Sequence, residues 1–138
     1  MAAVLAVGGR PAHGDSVLGY WGAAVSHRSA AFLWGLLPVA DGPVDATVAG
    51  GYGRARRHGI RVHRSQSLAP IDVTLRRGIP VTTPARTIKD LRRALTWGWA
   101  GAVPARELRK AIRQADVIGL SIGDESGDRT RRDRKSVV

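Results

Sequence analysis

The sequence has no cysteine, one methionine and one phenylalanine, and aromatic residues make up only 5% of it. Without cysteine, a disulfide framework, a zinc ribbon and thiol catalysis are excluded. Acidic residues are scarce, with eleven Asp and Glu against twenty-two Lys and Arg. Glu107 and Glu125 are the only glutamates. No paired carboxylates with a lysine follow a strand, as a metal-dependent nuclease requires. No apolar run approaches the ~20 residues that span a bilayer. The start, MAAVLAVGGRPAHG, lacks a basic leader and has too short an apolar run for a signal peptide. The expected compartment is the cytoplasm, with no membrane partner.

What is present suits one modest domain. A chain of 138 residues that folds throughout buries roughly two-thirds of its unfolded surface, and 43% apolar residues are enough for a core. The formal charge is +11 and it is lopsided. The first fifty residues hold two arginines against three aspartates, so the whole excess lies beyond them. Such a balance favours a polyanionic partner, DNA or RNA, through phosphate neutralisation. Arginine-rich coding is the competing explanation.

The organising stretch runs from Gly59 to Leu95. Ile60 and Val62 alternate with Arg61 and His63, the period of a half-buried strand. Ile71, Val73 and Leu75 repeat the alternation, and Arg76-Arg77-Gly78 turns the chain into a third strand at Ile79–Val81. Thr83 and Pro84 are residues that open helices. Ile88, Leu91 and Leu95 then share one helical face with Pro84.

Upstream, residues 1–22 read as a short apolar segment and a Gly-rich loop. His13 and Asp15 in that loop are too few for a metal site, and a solvated loop accounts for them. Ser26 is a good N-cap for a helix with Ala30, Leu33, Trp34 and Leu37 on one face. His27 and Arg28 in its first turn are either partner contacts or exposed residues beside the core face. Val44, Ala46 and Val48 alternate with Asp45 and Thr47 in a further strand. The following basic stretch, with Arg54, Arg56 and Arg57, reads as a hairpin tip. Its arginines would suit phosphate contact, and an ordinary solvated loop explains them as well.

Downstream, Trp97 and Trp99 read as a connector folded back on the core. Pro104 opens a last helix with Leu108, Ala111, Ile112 and Ala115 inward and a Glu107–Lys110 pair outside. Residues 121–138 lack apolar periodicity and read as a disordered basic tail. Arg129, Arg131, Arg132 and Arg134 there are further candidates for phosphate contact.

Three motifs, AAVSHRSAAFLWGL at 23–36, VHRSQSLAPIDVT at 62–74 and GIPVTTPARTIKDL at 78–91, resemble AbiEi-type antitoxins of type IV toxin–antitoxin systems. The resemblance is to the central module of an actinobacterial group, between a winged helix and an endonuclease-like domain. It implies an antitoxin or regulator-like module, a nucleotidyltransferase-like toxin as partner, and a chain truncated at both flanking domains. Lys89 and Arg92 depart from the apolar helix usual in that family.

The expected fold is α+β, with a small, mostly antiparallel sheet of three or four strands packed with two or three helices. The domain is expected at residues 23–120. The expected role is non-enzymatic, with no cofactor, metal site or catalytic residue. The alternative is a basic nucleic-acid-binding accessory domain of an endonuclease-like protein.

Overall fold

The computed structural model describes residues 22–38, 42–49 and 59–122. The fold is α+β. Among the described residues, five strands form one sheet: β1 (Ala23–Val25), β2 (Val44–Ala49), β3 (Ile60–Ser65), β4 (Val73–Arg76) and β5 (Ile79–Thr82). Three α-helices accompany it among the described residues: α1 (His27–Leu33), α2 (Pro84–Trp97) and α3 (Ala105–Val117). The Gly-rich loop with His13 and Asp15, the arginine tip and the basic tail (from residue 123) lie outside the described residues.

The strand order is β3-β2-β1-β5-β4. Pairing is antiparallel for β1 with β2 and for β4 with β5, and parallel for β2 with β3 and for β1 with β5. The sheet is therefore mixed and has five strands, against an expected three or four in mostly antiparallel array. Two features account for the difference. The central strand β1 spans three residues, too short for alternation to reveal. And β2 runs parallel to β3, Val44 opposite Ile60 and Ala49 opposite Ser65, so the two are not the arms of a hairpin.

The β4–β5 hairpin follows the expected turn. Arg77 and Gly78 both have positive φ, 54° and 75°, the combination a two-residue type I′ turn demands. In β4 the expected apolar stripe is reduced to Val73. Ile71 falls in a 3-10 turn (Pro70–Asp72) and is 85% exposed, and Leu75 is exposed as well.

Helix α2 begins as its sequence dictates. Thr83 Oγ1 accepts the Arg86 amide at 3.2 Å, and Pro84 occupies the first turn. Ile88 and Leu91 are fully buried, with Ala31, Leu36 and Leu37 of α1 and its C-terminal turn and with Val103, Leu108, Ala111 and Ala115 around α3. Leu95 at the far end is exposed. A second apolar cluster joins Ala23, Val25, Ala46, Val48 and Val81 of the sheet to Ala30 of α1. Trp34 packs against it and donates its indole N–H to the Thr82 carbonyl at 2.8 Å. The Arg76 guanidinium lies over the Trp34 ring at 4.8 Å, while its Nε donates to the Leu33 carbonyl. Helix α1 is thus tied to the β4–β5 hairpin.

Three local expectations change. Ser26 stands at the N-cap of α1 but makes no capping hydrogen bond with its side chain; its hydroxyl is engaged elsewhere. Glu107 pairs with Arg28 of α1, joining α1 to α3, in place of Lys110. Trp97 and Trp99 are exposed, although the connector that follows Gly98, the left-handed C-cap of α2, packs back on the sheet through Gly101.

Candidate functional site

The alternation that buries Ala46 and Val48 on one face of the sheet sends Asp45 and Thr47 to the other. The parallel register sets Asp45 beside Arg61 and Thr47 beside His63. Asp45 and Thr47 are nonetheless buried. The connector after α2 lies against this face. A Cβ on Gly101 would stand 3.1 Å from His63 Cε1 and 3.2 Å from Asp45 Oδ1, and Gly101 has φ +89°. Only glycine fits that approach without displacement.

His27 completes this group. It opens α1 with φ 52°, a left-handed conformation costing a non-glycine residue on the order of 1 kcal/mol or more. In that position its ring is buried and stacks on His63, with centroids 3.9 Å apart. Its expected exposure in the first turn is therefore overturned. Ser26 Oγ accepts from Thr47 Oγ1 at 2.7 Å and lies 2.9 Å from His27 Nδ1. Burial, and then electrostatic interaction with His63, Arg86 and Arg61, lower the His27 pKa to about 3. His27 is neutral at physiological pH.

On the second ring, His63 Nε2 lies 2.9 Å from Asp45 Oδ1, which also accepts from Arg61 at 3.2 Å. Serine, histidine and aspartate are thus all present without forming a triad. The serine contacts one imidazole and the aspartate the other, so no base is both oriented by an acid and bonded to the hydroxyl. Ser26 is also fully buried. Among the described residues, no three His, Cys, Asp or Glu are arranged to hold a metal ion.

A second polar centre adjoins the first. Arg86, Asp90 and Arg93 recur at i, i+4 and i+7 on α2, a stripe opposite the apolar one. Arg86 is buried, and each of its five N–H donors has an acceptor. Nε reaches Asp90 Oδ1 at 2.8 Å, Nη1 reaches the Ser67 carbonyl and Asp72 Oδ2, and Nη2 reaches the Ser65 and Ser67 hydroxyls. This one side chain fastens the end of β3 and the 3-10 turn to α2. Asp90 is left incomplete: its Oδ2 is buried with no hydrogen-bond partner. Burial raises the Asp90 pKa, and the adjacent Arg86 charge only partly offsets that.

The two centres floor a cleft of about 530 Å³ whose rim carries Arg64, Gln66, Arg93 and Trp99. Arg93 lies 5.6 Å from the Trp99 ring centre. Of the candidates read from the sequence, His27 lies on the cleft floor, and Arg28 lies apart in its ion pair with Glu107. Arg54, Arg56, Arg57, Arg129, Arg131, Arg132 and Arg134 all fall outside the described residues. His63, Arg86, Asp90 and Trp99 are cleft residues that sequence reasoning misses, as is Asp45, which holds His63 from behind. The signals that could find them are the alternation of β2 and β3 and the polar i, i+4, i+7 stripe of α2.

The family model described as AbiEi antitoxin C-terminal domain matches residues 19–132. No curated protein matches the chain.

Proposed function

The chain belongs to the AbiEi antitoxin C-terminal domain family, and from that premise we propose that it serves a type IV toxin–antitoxin system. In this reading it acts without catalysis, in the cytoplasm, against a nucleotidyltransferase-like toxin. The family match over residues 19–132 carries the reading. The separation of Ser26 from Asp45 by two stacked imidazoles supports a non-catalytic role. Toxin contact is placed at Arg28, with His27 supporting that turn from beneath. Co-expression of the full chain with a nucleotidyltransferase-like toxin encoded beside it tests the proposal. Growth is expected to recover, and Arg28→Gln is expected to weaken recovery while the fold persists by circular dichroism. Unrelieved toxicity with the wild-type chain sinks the reading.

The net charge of +11 favours a second reading, in which Arg54, Arg56 and Arg57, with Arg129, Arg131, Arg132 and Arg134, contact phosphates of DNA or RNA. Binding would then be weak and sequence-tolerant. Neutralising the first three arginines should lower the salt slope by about one unit per lost contact. Strong preference for one duplex at high salt would contradict it.

A further inference from the structure

We propose that the cleft above Arg86 and Asp90 is a binding site for a nucleoside monophosphate. The proposal does not depend on the identity of any toxin, because it rests on the chemistry of the cleft.

Three observations specify the ligand. The first is the buried Oδ2 of Asp90, a cleft residue, which lacks a hydrogen-bond partner. A buried carboxylate oxygen left unsatisfied is costly, and a ligand N–H would complete it. The second is Trp99, which is 48% exposed at the rim. A large aromatic surface beside a cleft is a stacking platform for a flat ring. The third is charge. Arg93 stands at the same rim in contact with Trp99, and Arg64 lines the wall. The Arg93 guanidinium in the lining beside Trp99 calls for an anionic group on the ligand.

A flat ring, an N–H edge and an anion describe a nucleotide base and its phosphate. In the pose these groups dictate, the base stacks on Trp99, its amino or imino edge donates to Asp90 Oδ2, and the phosphate meets Arg93. The cleft volume of about 530 Å³ falls in the ~300–1,000 Å³ range of small-molecule sites. The floor is already organised. Every Arg86 donor is engaged, and His27 and His63 are locked by stacking and hydrogen bonds, so on this floor only the Asp90 carboxylate has to shift to meet a ligand.

The test is calorimetric titration of the full chain with GMP, AMP, CMP and UMP, and with inorganic phosphate alone. Saturable binding of at least one nucleotide is expected, with phosphate much weaker. Trp99→Ala should weaken nucleotide binding by about tenfold or more, the loss of one base-stacking contact. Asp90→Asn, which retains an acceptor for Arg86 but removes the carboxylate oxygen, should weaken it as well. Arg93→Gln, at the rim, should act on nucleotide and phosphate alike. Circular dichroism confirms that each variant is folded. Absence of saturable nucleotide binding to the folded wild type overturns the proposal, as does unchanged affinity in both Trp99→Ala and Arg93→Gln. Short single-stranded oligonucleotides titrated in parallel separate a free nucleotide from a strand terminus. Strand binding that is lost in Trp99→Ala supports the same pocket, and strand binding that survives it overturns the assignment for strands.

Discussion

On one face of the sheet, Ala46 and Val48 of β2 meet Ile60 and Val62 of β3 under α1. On the other face of the same two strands, Asp45 and Thr47 stand beside Arg61 and His63. Helix α2 divides in the same way: Leu91 enters the apolar cluster, and its neighbour Asp90 holds Arg86 at the floor of the cleft. Both sides bury their central side chains, by different means. The apolar side is held by close packing, which tolerates exchange of similar volumes. The polar side depends on each donor having its acceptor, so removing one member strands the others. A side organised at that cost suits recognition better than support, and the cleft lies directly above it.

The contrast is tested most severely by removing the central cation of the polar side. Arg86→Ala should cost about 3–5 kcal/mol, because Asp90 is left as a buried charge without its partner. Replacing the pair together, as Arg86→Met with Asp90→Leu, should recover a large part of that loss. On the apolar side, Leu91→Ala should cost about 2–5 kcal/mol through transfer and cavity terms, and no second substitution on the polar side should relieve it. Urea midpoints for the wild type and these three variants decide the matter. If Arg86→Ala is nearly neutral, the network does not hold the fold.

The two sides also differ in how well the sequence announces them. The apolar members of β2, β3 and α2 stand out by period, and Val48, Ile88 and Leu91 are buried as their spacing demands. The polar face has the same period, but Asp45, Thr47, Arg61 and His63 carry the composition of a solvated surface. The enclosure of all but Arg61 is imposed by what covers them: the ring of His27 and the approach of Gly101, contacts distant in sequence. The sheet's centre is hidden for a related reason. Ala23–Val25 is too short to show alternation, and its neighbours β2 and β5 lie far along the chain. Strand direction likewise depends on long-range pairing, whereas the glycines and arginines after β2 suggest a local turn.

Titration probes the polar side alone. The folded pKa of His27 is about 3, below the unfolded value of 6.5. The unfolded chain therefore binds the extra proton between those values. Stability contributed by neutral His27 is full above about pH 6.5 and falls by roughly 1.4 kcal/mol per pH unit on acidification toward 3. Asp90, with its pKa raised above 3.8, contributes in the opposite sense just above that value: its share is held at low pH and lost as pH rises. His27→Asn, which tolerates positive φ, should flatten the acid side of the stability profile. Asp90→Asn should steepen it. Urea midpoints between neutral pH and about pH 4.5 measure both, and a wild-type slope retained in His27→Asn would assign the proton uptake elsewhere.

The smallest expected effect tests where the polar side ends. Arg61 reaches Asp45 at 3.2 Å, but its side chain is 36% exposed while that of Asp45 is 4% exposed. Asp45 also has His63 Nε2 within 2.9 Å on the same oxygen, so loss of Arg61 does not leave it bare. A half-exposed pair of this kind contributes about 0.2–1 kcal/mol. Arg61→Ala should therefore lower the urea midpoint only slightly, and the difference should shrink as salt is added. His63 would then be the partner that keeps Asp45 buried, and Arg61 a solvent-facing addition. A loss approaching that of Arg86→Ala, unaffected by salt, would instead make Arg61 part of the floor. The boundary between the buried network and the solvated edge would then have to move outward by one strand residue.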